Sequence, residues 1–263
     1  MNEPTVTLTR SDGLGLLTLN RPQAGNTINM AMALELEAQV DHAIADPSVR
    51  AVVLTGSGRL FCGGGDISAF AAAGDQAGDF LFEIAHALHH SVKKLAVMGK
   101  PLITLINGPA AGAGLSLAIS GDLVLATPSA HFTAAYSGVG LTPDGGASWL
   151  LPRMIGLRRA QDMIFTNRRV DAQEAAQIGL VTRLVAPDAL MSEGLAVARA
   201  LAQGAVGAHG GAQALLAASF HQDFASQLDL EAASIARAGA TPEAREGISA
   251  FLERRKPDFS GQA

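Results

Sequence analysis

The sequence holds one cysteine, Cys62, so an intrachain disulfide framework is impossible and a reducing cytoplasm suits the chain. It has no apolar run of the roughly 18 residues that a membrane-spanning helix requires. The opening residues, MNEPTVTLTR, lack the basic start and apolar stretch of a secretory signal. Positive charge is also short: 19 Lys and Arg stand against 24 Asp and Glu, a formal net charge of −5. Nucleic acid and anionic membrane surfaces are therefore offered no general attraction. Only 16% of residues are charged while 48% are hydrophobic, which excludes wholesale disorder and provides for a large core. Together these absences predict a soluble cytoplasmic protein with no membrane and no nucleic-acid partner. At 263 residues the chain is longer than the usual domain of about 100 to 150 residues, yet a single α/β domain reaches this size.

What is present is alternation. Two β-rich runs, TVTLTR and LGLLTLN, flank SDG and read as a hairpin, with Asp12 and Gly13 as turn residues. MAMALELEAQVDHAIADP spaces Met32, Leu36, Val40 and Ile44 at helical intervals and stops at Pro47. The strand AVVLTG is apolar throughout, as burial on both faces requires. A glycine loop around GGGD, a long amphipathic helix over about Phe80 to Met98, the strand PLITLIN, a second glycine loop GPAAGAG, the helix LSLAIS and the strand DLVLAT follow. This order predicts an α/β core whose strands end in loops with exposed backbone amides, where function in such folds usually sits. After about Pro152 only VTRLVA reads as strand, and the remainder reads as successive helices, a lid or an oligomerisation layer. No internal sequence repeat is visible beyond the strand and helix alternation.

Several motifs bear on chemistry. The loops FCGGGDIS (Phe61 to Ser68) and NGPAAGAG (Asn107 to Gly114) could point unhindered N–H groups at one anionic oxygen, or could serve only as tight turns. Neither fits a phosphate loop or a dinucleotide fingerprint. GLSLA, Gly114 to Ala118, is a degenerate nucleophile elbow around Ser116, whose fifth residue is alanine where the motif has glycine, so a packed small residue is the better reading. FEIAHALHH sets Glu83, His86, His89 and His90 on one helix without a matching second helix, so no metal site is expected. The helical period separates His89 from the face of His86 and His90, so His89 could face a site by itself, although solvated surface histidines are the default reading. In VGLTPDGGASW, Asp144 precedes two glycines and an apolar helix, and on residues alone helix capping and catalysis are equally open.

Taken together these residues resemble the enoyl-CoA hydratase/isomerase, or crotonase, family. The resemblance is carried in order by TLNRPQAGNTIN, RAVVLTGSGRLFCGGGDI, PLITLINGPAAGAGLSLAISGDLVLATPSAHF, GVGLTPDGGASWLLPRMIG, AAQIGLVTRLV and REGISAFLERRKPDFSG, which cover nearly the whole chain. It implies an α/β spiral of ββα units over residues 1–200 and a C-terminal helical region, 201–263, that builds trimers or hexamers or forms a lid. It implies an acyl-CoA thioester as substrate, with no separate cofactor, since CoA is part of the substrate. The family's two oxyanion-hole amides fall on Gly65 and Ala113. Gly63, Asp66 and Ile67 would lie along the CoA moiety, and Tyr136, Val139 and Leu141 would line the pocket beside Asp144.

Departures from the hydratase pattern narrow the reaction. The two catalytic glutamates of hydratases fall here on Ser116 and Tyr136, and hydration needs one group to activate water and another to handle the C2 proton. Asp144 occupies a third place where enzymes of this fold mount a carboxylate. GLTPDGGASWLLPR looks most like the isomerases of phenylacetate breakdown, which act on a ring-epoxide CoA ester and shift double bonds in enoyl-CoA thioesters. The expected activity is 3-enoyl to 2-enoyl isomerisation, or ring-epoxide isomerisation, with Asp144 as the single proton carrier. Three alternatives stand beside it. One is an aryl- or acyl-CoA dehalogenase or hydrolase with Asp144 as nucleophile and His89 as base, in which Tyr136 replaces that group's tryptophan. The others are a hydratase and an inactive acyl-CoA-binding scaffold.

Overall fold

A computed structural model describes residues 3–259; Met1, Asn2 and the last four residues of the C-terminal region, 260–263, lie outside the described residues. Strands β1 (Val6–Ser11) and β2 (Leu14–Leu19) form the expected antiparallel hairpin, with Val6 opposite Leu19 and Ser11 opposite Leu14. Asp12 and Gly13 both take positive φ, 53° and 80°, as in a type I′ turn, whose twist matches that of the strands it joins. Helix α1 (Met30–Ala45) starts where the Asn29 side chain accepts from the Met32 N–H at 3.0 Å, and it buries Met32, Leu36 and Val40.

The far end of α1 is held by a cation. Lys100 Nζ donates to the carbonyls of Ala43, Ile44 and Asp46 at 2.8, 3.0 and 2.9 Å, supplying donors for oxygens that a helix end leaves unpaired. Burial draws the Lys100 ammonium below its ordinary pKa. Lys100→Met, which keeps the apolar stem, is expected to lower unfolding free energy by about 1.5 to 3 kcal/mol, the usual worth of hydrogen bonds to a charged group. Urea-denaturation midpoints check this, and an unchanged midpoint would mean that water replaces the ammonium without loss.

The main sheet runs β1-β2-β3-β4-β6-β9, with β3 (Ala51–Gly56), β4 (Leu102–Ile106), β6 (Leu123–Ala126) and β9 (Arg183–Leu184), and every pairing after the hairpin is parallel. All residues of β3 and β4 are buried, as strands covered on both faces must be. Val53, Ile103, Leu105 and Leu125 pack toward helix α8 (Leu190–Ala202) on one face, while Val52, Leu54 and Leu102 join the larger core that includes α1 on the other. A smaller sheet holds β5 (Ala110–Ala111), β7 (His131–Thr133) and β8 (Val170–Asp171), and isolated bridges carry it on from Ala110 to Cys62 and, separately, from Gly65 to Ile28. The two-residue β8 is absent from the sequence expectation; it exists because its partner β7 is in place, and two residues carry no strand pattern of their own.

Four times the chain passes from a long strand of the main sheet to a short extended segment at the smaller sheet and then into a helix. The successive helices are α1, α2 (Ile67–Ala72) with α3 (Ala77–Val97), α4 (Ala113–Ala118) and α5 (Ala147–Ile155). The repeat is one of structure, without repeated sequence. Helices α6 (Leu157–Thr166) and α7 (Ala172–Ile178) lead through β9 to α8, followed by α9 (Val206–Ala218), α10 (Phe224–Gly239) and α11 (Pro242–Leu252). In α9 and α10 no residue is fully buried, and in α11 only Ala250 is. Leu216, Phe224, Ile235, Ile248 and Phe251 are exposed there. No helix among the described residues is long and apolar enough to cross a membrane.

Candidate active site

Three of the four short-segment-to-helix junctions build one cavity of about 380 Å³. Gly63, Gly64 and Gly65 come from the junction before α2, Gly112 and Ala113 from that before α4, and Tyr136, Leu141 and Asp144 from that before α5. Equivalent places in successive units thus supply the two predicted oxyanion donors and the carboxylate. A fourth wall is α3, through Leu81, Phe82, Ile84 and Ala85.

The two glycine loops meet backbone to backbone. Ala111 N–H donates to Cys62 O at 3.0 Å, and Phe61 N–H to Pro109 O at 3.1 Å. Gly114 lies so close to the first loop that a Cβ there would fall 2.2 Å from Cys62 O, a contact only hydrogen permits. Among the described residues the backbone N–H groups of Gly65 and Ala113 have no hydrogen-bond acceptor. Two unpaired donors lining one cavity are what a developing thioester oxyanion needs. Cys62 takes no part: it is fully buried, its Sγ donates to Asn26 O at 3.1 Å, and burial pushes its thiol pKa up to about 12.

Asp144 does not cap α5. The N-cap position is Gly146, and no side chain caps the helix. Asp144 Oδ1 instead accepts from Tyr136 Oη at 2.7 Å, its Oδ2 has no partner among the described residues, and the residue lines the cavity. Tyr136 is buried, and burial, followed by the charge of Asp144, drives its phenol pKa well above the ordinary value, so it remains a donor. Ser116 Oγ lies 3.2 Å from Tyr136 Oη and donates to the Asp144 carbonyl at 2.9 Å. Ser116 and Tyr136 thus hold the aspartate from two different elements. Gly145 has φ +60°, and a Cβ there would meet the Ser116 Cβ at 2.8 Å, so only glycine suits both the turn and the approach.

The other predicted residues separate. Ile67 and Val139 line the cavity while half-exposed, and Leu141 lines it partly buried against the core. Asp66 is not among the lining residues: its carboxylate accepts from Ser68 Oγ at 2.6 Å and pairs with Arg21 at 3.1 Å. The Ser68 hydrogen bond, aided by Arg21 and opposed by burial, holds the Asp66 carboxyl below the usual carboxylate range. His86 and His90 pack edge to face at 4.5 Å, away from His89, whose Nε2 accepts from the Gly145 N–H at 2.9 Å. Among the described residues no group of three or more His, Cys, Asp or Glu side chains is arranged to hold a metal ion.

One residue that shapes the site carries no sequence signal. Asn26 is fully buried with φ 55°, its Nδ2 donates to the carbonyls of Ser57, Leu60 and Phe61, and its Oδ1 accepts from the Arg21 N–H at 2.8 Å. It ties the loop after β2 to the segment entering GGGD. An asparagine after a glycine reads locally as a turn residue, and nothing in its neighbours announces that it is buried.

Comparison with known proteins identifies the family and the fold. Residues 9–262 match the enoyl-CoA hydratase/isomerase family. A protein of Rhodobacter capsulatus named "Probable enoyl-CoA hydratase" is 37% identical over 262 residues, covering 100% of both chains. The 1,2-epoxyphenylacetyl-CoA isomerase of Escherichia coli K12 is 36% identical over 251 residues, 95% of this chain and 96% of its own. Among solved structures, an enoyl-CoA hydratase from Polaromonas sp. JS666 superposes with a TM-score of 0.92 at 31% identity, covering 96% of this chain and 98% of the other. The chain belongs to the enoyl-CoA hydratase/isomerase family of enzymes and has the crotonase fold. The family acts on acyl-CoA thioesters.

Proposed function

We propose that the protein is an enoyl-CoA isomerase that moves a double bond from the 3 to the 2 position of an acyl-CoA thioester, with Asp144 as its only proton carrier. The observation that carries this reading is the state of Asp144. Among the described residues it is the one carboxylate lining the cavity, with one oxygen engaged by Tyr136 and the other without a partner. In the reaction, the thioester carbonyl oxygen is held by the N–H groups of Gly65 and Ala113. Asp144 Oδ2 takes a proton from C2, the electron pair of that C–H bond delocalises into a dienolate, and the protonated carboxyl returns its proton at C4. No bond to water is made, and no cofactor is required because CoA enters and leaves with the acyl group.

Hydration would need a second acid–base group, and Ser116 and Tyr136 are hydrogen-bonded to Asp144 where such groups would stand. The hydrolase alternative asks His89 to activate water, but its Nε2 lone pair is already occupied by the Gly145 N–H. The exposed apolar residues of α9 to α11, within 201–263, support assembly into a trimer or hexamer. A panel of 3-enoyl-, 2-enoyl- and aryl-CoA thioesters, with products resolved by mass and chromatography, tests the assignment. The expected result is 3-enoyl to 2-enoyl conversion with no mass change. A gain of 18 mass units from a 2-enoyl substrate, release of halide, or binding without turnover would each overturn it.

A further inference from the structure

The geometry points to His89 as a positioning residue that latches the peptide bearing Asp144, an inference that rests on Asp144 being the proton carrier. The Asp144–Gly145 peptide unit is gripped at both ends. Its carbonyl oxygen accepts from Ser116 Oγ of α4 at 2.9 Å, and its N–H donates to His89 Nε2 of α3 at 2.9 Å. Gly145 and Gly146 follow with φ of +60° and +91°, so the chain there has the rotational freedom of glycine, and the backbone itself adds one turn bond, from the Ala147 N–H to the Asp144 carbonyl at 3.1 Å. The orientation of this peptide plane fixes ψ of Asp144, and with it the direction in which the carboxylate leaves the chain. Two side chains from different helices therefore reinforce this turn where glycine leaves the backbone free, and His89 is the only acceptor for its N–H among the described residues.

His89 is suited to this by place and chemistry. In α3 it stands one turn beyond Ala85 and two beyond Leu81 and Phe82, on the stripe that walls the cavity. Accepting from a backbone N–H requires an unprotonated Nε2, so the imidazole is held as the tautomer with its proton on Nδ1. A ring whose Nε2 is committed in this way orients the carboxylate and has no part in the proton's path. The helix that shapes the acyl pocket also fixes the base that acts on its occupant.

The test compares His89→Gln, whose Oε1 can accept the same N–H, with His89→Leu, which fills the space and accepts nothing. For His89→Leu, kcat should fall on the order of 10- to 100-fold with KM little changed, because a displaced base costs rate and leaves thioester binding intact. His89→Gln should recover most of that loss, and amide exchange at Gly145 should be slow in wild type and His89→Gln and fast in His89→Leu. A His89→Leu enzyme with wild-type kcat and slow Gly145 exchange would overturn the latch, as would a His89→Gln enzyme as impaired as His89→Leu. Should His89→Leu fail to fold, nitrogen NMR of the wild-type imidazole decides: a proton on Nε2 overturns the latch. Retained turnover in Asp144→Asn would instead remove the isomerase assignment, and the Gly145 exchange result would stand apart from it.

Discussion

Asp144→Asn is expected to fold, bind acyl-CoA and lose double-bond migration by roughly 10²- to 10⁴-fold in kcat, the span over which a positioned acid–base group accelerates proton transfer. The substitution separates structure from chemistry because asparagine is nearly isosteric and its Oδ1 can still accept from Tyr136 Oη, the one hydrogen bond the carboxylate makes among the described residues. Nor is a helix cap lost, since α5 begins at Ala147 with Gly146 at the N-cap. What disappears is Oδ2 as a base: an amide nitrogen in its place neither takes the C2 proton nor returns it at C4. Steady-state turnover of a 3-enoyl-CoA thioester, with thermal unfolding and ligand binding measured alongside, checks all three parts. Turnover near that of wild type would end the assignment of Asp144. Loss of folding would mean that the negative charge itself, beyond the Tyr136 contact, is structural.

The second large effect is expected from a single methyl group. In Gly114→Ala the added Cβ would fall 2.2 Å from Cys62 O and 2.8 Å from the carbonyl carbon, and both neighbours are backbone that no rotamer change can move. Since α4 is buried along its whole length, it has no solvent side toward which to relax. Overpacking of a core costs about 1 to 3 kcal/mol, and a backbone obstacle puts this site at the upper end. For a chain of this size such a loss lowers Tm by roughly 6 to 12 °C. The relief available is to push α4 and the GGGD loop apart, which separates the N–H groups of Ala113 and Gly65. Removing one oxyanion donor costs about 10²- to 10³-fold in kcat, and the displaced pair should approach the lower figure. Gly78→Ala is the matched control, because Gly78 is exposed in α3 and a Cβ there meets nothing within 4 Å. It should leave activity alone and raise stability by up to about 1 kcal/mol. Calorimetry and kinetics on the pair check the contrast, and equal Tm values would show that the loops yield more readily than their packing implies.

The sequence by itself determined the elements whose causes are local. The hairpin follows from two β-rich runs around Asp12 and Gly13, α1 from the spacing of Met32, Leu36 and Val40, and the buried parallel strands from unbroken apolar runs such as AVVLTG. The resemblance singled out Asp144 as the carboxylate candidate, because it implies that the hydratase glutamates fall on Ser116 and Tyr136. Only the tertiary structure decided what Asp144 does with its oxygens, because Tyr136, Ser116 and His89 reach it or its peptide from three different elements. The convergence of Gly65 and Ala113, the burial of Asn26 and the pairing of β8 belong with it. Each depends on the register in which successive units stack, and one residue of slip would turn every inward side chain outward. That register is set by the packing of the whole core, so no short stretch of chain contains it.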